Sequence, residues 1–222
     1  MLDRGISNLE PLSRLADTLE SLSIQAADNA DLQLDDLHRL VSVAAEWHLL
    51  ASSLGRCVGL QAVSTWAFDE PDLRAFRDHA DLAELTIKDA PRLASLDGAA
   101  SLFDLESLKV AGAPRLGDLA AISGLDALRE LTIESASAVE SLNDIAGLVQ
   151  LRFLSMSDCK DIASLQPLSG MQQLETFYAW GSTRVLDDDL RPLLQLPLLS
   201  EVRMRARRSY RPLLTDVPAS VF

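Results

Sequence analysis

Three histidines (His38, His48 and His79), two cysteines (Cys57 and Cys159) and the run Asp187-Asp188-Asp189 are the residues whose types could carry chemistry in this 222-residue chain. A cysteine beside a histidine would make a nucleophile and its base, and three clustered carboxylates would hold a divalent cation. The spacing supports neither. Each histidine stands alone, with no second ligand at metal spacing. The cysteines lie far apart and form no CxxC, so neither a zinc cluster nor a disulfide framework is written here. GxGxxG, GxxxxGK[ST], HExxH and GxSxG are all missing. The aspartate run stands just before Leu190-Arg-Pro-Leu193, where acidic side chains cap the free N–H groups of a helical segment. Asp158 and Asp161 fall in a turn and read the same way. The expectation is a protein with no catalytic residues, no metal and no cofactor.

The elements that must position any binding residues are written far more clearly. One phrase recurs five times at intervals of 23 residues: Leu82-Ala-Glu-Leu85-Thr-Ile87, Leu105-Glu-Ser-Leu108-Lys-Val110, Leu128-Arg-Glu-Leu131-Thr-Ile133, Leu151-Arg-Phe-Leu154-Ser-Met156 and Leu174-Glu-Thr-Phe177-Tyr-Ala179. Such a fixed period means a solenoid. Outward from this block the phrase continues as Leu19-Glu-Ser-Leu22-Ser-Ile24, then in degenerate form from Leu40 and from Leu60, and it closes with Leu199-Ser-Glu-Val202-Arg-Met204. Within each phrase the side chains alternate, so Leu131 and Ile133 face inward while Glu130 and Thr132 face out. Between phrases runs a second apolar rhythm, as in Leu116, Leu119, Ile122 and Leu125. That spacing suits a short helical or 3₁₀ arm, and Pro167 and Pro192 fit its first turn. Ile6 to Leu15 matches Ile162 to Met171 position by position, so the chain opens inside such an arm, with Asp3, Arg4, Asn8 and Glu10 as its polar end.

The LxxLxL phrase resembles that of leucine-rich-repeat proteins. The resemblance implies an α/β class and a right-handed solenoid over residues 1–205. About nine short parallel strands would line its concave face, short α or 3₁₀ segments its convex face, and residues 206–222 would form a closing segment. The short period is similar to that of internalins and of the eukaryotic phosphatase-1 regulator, families that bind proteins. One departure stands out. Many such repeats carry asparagine three residues beyond the last apolar strand position, whereas this chain has Ala27, Ala90, Ala113, Ala136, Cys159 and Ser182 there. The turn amides and carbonyls must then satisfy each other.

Three outward slots per repeat define the concave surface. In the last three repeats they hold Phe153, Ser155 and Ser157, then Thr176, Tyr178 and Trp180, then Glu201, Arg203 and Arg205. Aromatic and arginine side chains are the types that most often carry interface energy. Phe153, Tyr178, Trp180, Arg203 and Arg205 are therefore the first partner-binding candidates. The competing reading is that the arginines, with Arg207, Arg208 and Arg211, cap the last repeat. The middle of the face is polar, with Lys88, Lys109, Glu130 and Glu134 as candidate rim contacts. Trp66 fills an outward slot of a degenerate repeat, and Trp47 lies just past its strand. Each reads as a second anchor or as local packing.

Composition bounds the partner. There are 20 basic and 33 acidic residues, a net charge of −13. Phosphate backbones and anionic lipid surfaces repel such a chain, so a basic protein is the favoured partner and neither nucleic acid nor membrane is expected. The charge is uneven: residues 1–40 hold eight acids and three bases, residues 200–222 two acids and five bases. No secretory signal is visible at the start, and no apolar run approaches the roughly 18 residues of a membrane helix, so the expectation is cytoplasmic. Only Lys88, Lys109 and Lys160 are lysines, an arginine bias that fits a GC-rich bacterial genome. The expected function is a non-enzymatic protein-interaction module, monomeric or weakly dimeric. The alternatives are a bacterial immunity protein that neutralises a basic toxin and a self-associating structural repeat protein.

Overall fold

Each LxxLxL phrase forms one short strand in the computed structural model, which describes residues 7–27 and 30–218; Asp3, Arg4 and Ile6 lie outside them. In chain order the strands are β1 (Ser21–Ser23), β2 (Ser42–Glu46), β3 (Ala62–Trp66), β4 (Glu84–Lys88), β5 (Ser107–Ala111), β6 (Glu130–Glu134), β7 (Phe153–Ser155), β8 (Asp161–Ile162), β9 (Thr176–Ala179), β10 (Arg184–Val185) and β11 (Glu201–Met204). Nine of them build one parallel sheet in the order β1-β2-β3-β4-β5-β6-β7-β9-β11. β8 and β10 pair separately, also in parallel. The register follows the repeat, so Leu85, Leu108, Leu131, Leu154 and Phe177 align across five strands. All five are buried, and their row is the spine of a single continuous core. The connecting arms are chiefly 3₁₀ turns of three to six residues, and among the described residues α-helical turns occur only at Trp47–Leu50 and Arg191–Leu194. Pro167 and Pro192 do lie in the first turn of their segments.

The missing asparagine is replaced by backbone geometry. Just past the strands Ala67, Asp89, Gly112, Ser135, Asp158 and Gly181 all take positive φ, between 51° and 72°. In this conformation four of these amides reach the next repeat. Asp89, Gly112, Ser135 and Asp158 donate to the carbonyls of Ala111, Glu134, Ser157 and Trp180 at 3.0, 3.0, 3.0 and 3.1 Å. The small residues that follow, Ala90, Ala113, Ala136 and Cys159, are fully buried beneath this ladder. At both ends the expected slot slips by one. Ala26 rather than Ala27 is the buried residue, and Thr183 rather than Ser182. The Thr183 hydroxyl donates to the Met156 carbonyl at 2.6 Å and accepts from the Cys159 amide at 3.0 Å, the work an asparagine would do.

A second ladder precedes the arms. Asp72, Asp118, Ser141 and Ser164 accept the N–H of the first residue of a 3₁₀ turn, at 3.0, 3.0, 3.1 and 3.0 Å. Ser95 and Asp187 hold the same position but are followed by extra residues, and each bonds the amide two residues on. Asp189 then accepts the Arg191 amide at the start of the helical turn at 2.9 Å and also pairs with its guanidinium. Asp188 accepts from the Ser209 hydroxyl at 2.7 Å. Every member of the aspartate run thus has a local structural bond. Ion pairs one repeat apart (Arg92 to Asp69, Arg74 to Asp97, Arg129 to Glu106, Arg152 to Glu175, Arg184 to Asp161) tie neighbouring repeats at the surface, where each contributes little.

The last repeat is closed by apolar side chains. Tyr210, Leu214 and Val217 are buried against it, and the Tyr210 hydroxyl accepts the Val185 amide at 3.3 Å. Arg203 and Arg205 are exposed, whereas Arg207 is half-buried and Arg211 forms a backbone bridge with Asp189. Trp47 is core as well. It packs on Phe68 and Phe76 at centroid distances of 4.6 and 5.8 Å and donates its indole N–H to Glu70. Phe68 occupies the slot that Ala90 takes one repeat later, which is why this degenerate stretch needs large rings. Among the described residues no helix is long and apolar enough to cross a membrane.

Two expected outcomes follow from the core. Thr65 is fully buried, and its hydroxyl has no hydrogen-bond partner among the described residues. In the clean repeats the same position holds Ile87, Val110 and Ile133. Thr65→Val removes a desolvated hydroxyl at nearly constant volume and is expected to stabilise the protein by about 1 kcal/mol. A lower or unchanged Tm would show that the hydroxyl is satisfied in solution. Cys159 is buried, donates its thiol to the Ile133 carbonyl at 3.3 Å, and burial pushes its pKa up to about 11. Burial also raises the Cys57 thiol. At pH 8 the Cys159 thiolate is then about one part in a thousand. Alkylation of Cys159 by iodoacetamide should be very slow in the native protein and fast in denaturant, and rapid native labelling would contradict its burial.

Candidate partner-binding face

On the outward face, side chains from successive strands stand side by side in rows about 4.8 Å apart. Register places Ser155 beside Thr132 on one side and Tyr178 on the other, and Tyr178 beside Arg203. Phe153 and Tyr178 meet edge to face, with ring centroids 5.3 Å apart and planes at 82°. The Arg203 guanidinium lies over the Tyr178 ring at 5.1 Å, so the ring is a cation–π platform. Glu201 locks both partners. It accepts the Tyr178 hydroxyl at 2.9 Å and pairs with Arg203 Nε at 2.6 Å. Burial, and next the hydrogen bond to the Glu201 carboxylate, hold the Tyr178 phenol above its ordinary pKa. The phenol is therefore a neutral donor throughout the physiological range.

This locked group walls one side of an open hollow of about 610 Å³ lined by Glu134, Ser155, Ser157, Asp158, Tyr178, Trp180 and Arg203. The hollow exists because Ser155 and Ser157 are small where the flanking strands carry larger groups. The two hydroxyls lie 3.2 Å apart on its floor. Trp180 stands at the rim, 54% exposed. It shares a second, shallower depression with Gly181, Ser182 and Arg205. Asp158 is fixed by its left-handed backbone and by accepting the Ser182 amide at 2.9 Å. A side chain at Gly181, itself at φ 70°, would collide with that carboxylate.

The structure thus gathers Phe153, Tyr178, Trp180, Arg203 and Glu134 around one site, with Arg205 at its margin. The other candidates lie apart. Glu130 pairs across from Phe153 and receives the Ser107 hydroxyl at 3.4 Å. Lys109 and Lys88 sit on β5 and β4. Trp66, on β3, is half-buried opposite Glu46. Sequence reasoning passed over Glu201, Ser155, Ser157 and Asp158 as site residues. The signal was present for the serines, two small outward residues next to two large aromatics. Among the described residues no group of three or more His, Cys, Asp or Glu is placed to hold a metal ion. His79, expected to be an ordinary histidine, is buried with its two ring nitrogens 3.2 and 3.0 Å from the carbonyls of Phe76 and Leu54.

No protein-family model matches the chain, and no curated protein sequence matches it. Solved structures do match. A leucine-rich-repeat protein of Leptospira interrogans superposes with a TM-score of 0.63 at 14% identity, over 88% of this chain and 57% of that one. An internalin of Listeria monocytogenes gives 0.59 at 18% identity, over 90% and 64%. TLR13, solved in complex with single-stranded RNA, gives 0.57 at 16% identity, over 90% and 35%. The fold is a leucine-rich-repeat solenoid. The chain spans about six tenths of the length of the Leptospira and Listeria proteins, and at these identities the likeness concerns architecture alone. In this leucine-rich-repeat frame the site lies on the sheet face, from the end of β6 to β11.

Proposed function

We propose that this leucine-rich-repeat chain is a non-enzymatic binding module that grips a protein partner through its concave sheet, most strongly at the carboxyl-terminal repeats. The observation that carries the reading is the outward-facing cluster of Phe153, Tyr178, Trp180 and Arg203, in which Glu201 holds Tyr178 and Arg203 and Phe153 packs on the Tyr178 ring. Rigid aromatic and arginine groups lose little freedom on binding, so more of their contact energy appears as affinity. The net charge of −13 favours a basic partner, and Lys88, Lys109, Glu130 and Glu134 would set selectivity at the rim. TLR13 in complex with RNA shows that the architecture tolerates nucleic acid. The acidic balance of this chain is the argument against it here.

Self-association is the weaker reading. β1 and β11 are the two edges of the described sheet, and they are only three and four residues long, with Ser21 and Ser23 exposed around Leu22 and Arg203 exposed on β11. Short polar edges pair poorly. Light scattering should give one 24.2 kDa protomer, and a concentration-independent dimer would revive the structural reading. The direct test of the binding face is affinity capture with the native chain and with Tyr178→Ala/Trp180→Ala. Equal recovery of the same partners by both would remove the site.

A further inference from the structure

The hollow beside Trp180 has a composition that selects one kind of side chain. Glu134 and Ser157 are neighbours in the outermost row of the sheet, and Trp180 follows Ser157 one repeat on. With strands about 4.8 Å apart, Glu134 and Trp180 flank a gap roughly 10 Å wide over the small Ser157. That gap matches the thickness of one planar group stacked on an indole with room for a carboxylate opposite. Asp158 supplies a second carboxylate from the turn, held in place by the Ser182 amide. The positive charge present, Arg203, is neutralised by Glu201 at 2.6 Å and turned onto the Tyr178 ring. It serves as wall. The lining of the hollow holds the Glu134 and Asp158 carboxylates beside it, and Arg205 lies outside, in the depression on the other side of Trp180. Neither Glu134 nor Asp158 is paired with a cationic side chain among the described residues.

The geometry points to this hollow as the seat of an arginine side chain from the partner, stacked on Trp180 and hydrogen-bonded by the Glu134 and Asp158 carboxylates. A guanidinium is planar and weakly hydrated, and it presents a fork of donors that one carboxylate can take in pairs. It also gains from the face of an indole. The serine hydroxyls on the floor can accept the donors left over. The inference rests on the proposed binding face and gives the basic partner its anchor.

The test uses N-acetyl-arginine methylamide as probe, with the citrulline analogue as its uncharged near-isostere. Both are titrated into the full chain while the Trp180 indole N–H is followed by NMR. The arginine probe is expected to give a saturable shift of that resonance, with citrulline at least tenfold weaker. Glu134→Gln/Asp158→Asn should weaken the arginine probe at least tenfold. Asn keeps the acceptor for the Ser182 amide and tolerates positive φ, so the turn survives. Glu134→Gln alone changes no backbone constraint and is the second variant. No saturable shift, equal response to citrulline, or unchanged affinity in both variants overturns the arginine seat. None of these results depends on a partner, so they leave the Tyr178→Ala/Trp180→Ala capture result standing. Conversely, a bound probe with capture unaffected sinks the binding face and with it the partner-borne arginine.

Discussion

Leu131→Ala is expected to lower stability by about 2–5 kcal/mol. At about 2–4 °C per kcal/mol for a chain of this size, Tm should fall by roughly 4–20 °C. Leu131 is fully buried in β6, aligned with Leu108 on one side and Leu154 on the other. Truncation removes contacts to both neighbours and leaves a void that cannot collapse, because the flanking strands are fixed in register by their own ladders. In a solenoid the stability of a repeat is tied to its two interfaces, so a lesson at the centre is felt on both sides. The control is Leu22→Ala: Leu22 is 8% exposed, and its strand β1 has, among the described residues, a neighbouring strand on one side only. Its cost should be clearly smaller. Thermal melts of the two variants settle the contrast. Equal losses would mean that the core is not graded from centre to end.

The strands were legible because two periods agree. The alternation within each phrase sets which side chains point inward, and the 23-residue interval sets which strand meets which. A one-residue slip would turn Leu131 and its aligned row into solvent, so the register admits one solution. The turns were less legible. Asparagine is a visible signal, whereas a row of positive-φ residues as different as Ala67, Asp89, Gly112 and Ser135 shares a conformation and no side-chain type. Asp72, Ser95, Asp118, Ser141, Ser164 and Asp187 are spaced by 23 residues and could have been read as a capping row. That row also explains Asp187 without a cation. Trp47 could not be assigned, because its burial depends on Phe68 and Phe76 in the next repeat, where the interval shortens and the period no longer guides. The binding site was half visible. Aromatic and arginine positions follow from the slots, but the locking of Tyr178 and Arg203 by Glu201 is a matter of rotamers.

Tyr178→Ala/Trp180→Ala should fold normally and bind its partner at least roughly a thousandfold more weakly. Two anchor residues at about 2 kcal/mol or more each give some 4 kcal/mol, against 1.4 kcal/mol per tenfold. The loss should exceed the sum of the singles' direct contacts, because removing the Tyr178 ring frees both Arg203 and the Glu201 carboxylate that it engages. Stability should change little. Trp180 is more than half exposed, and Tyr178 stands on the outward side of a strand whose inward residues, Phe177 and Ala179, remain. Tyr178→Phe separates the two contributions. It keeps the platform and the edge-to-face contact with Phe153 but deletes the bond to Glu201, so it should cost only a small part of the double variant's loss. If Tyr178→Phe were as damaging as the double variant, the phenol hydroxyl and its carboxylate would be the recognition element, and the aromatic faces would not.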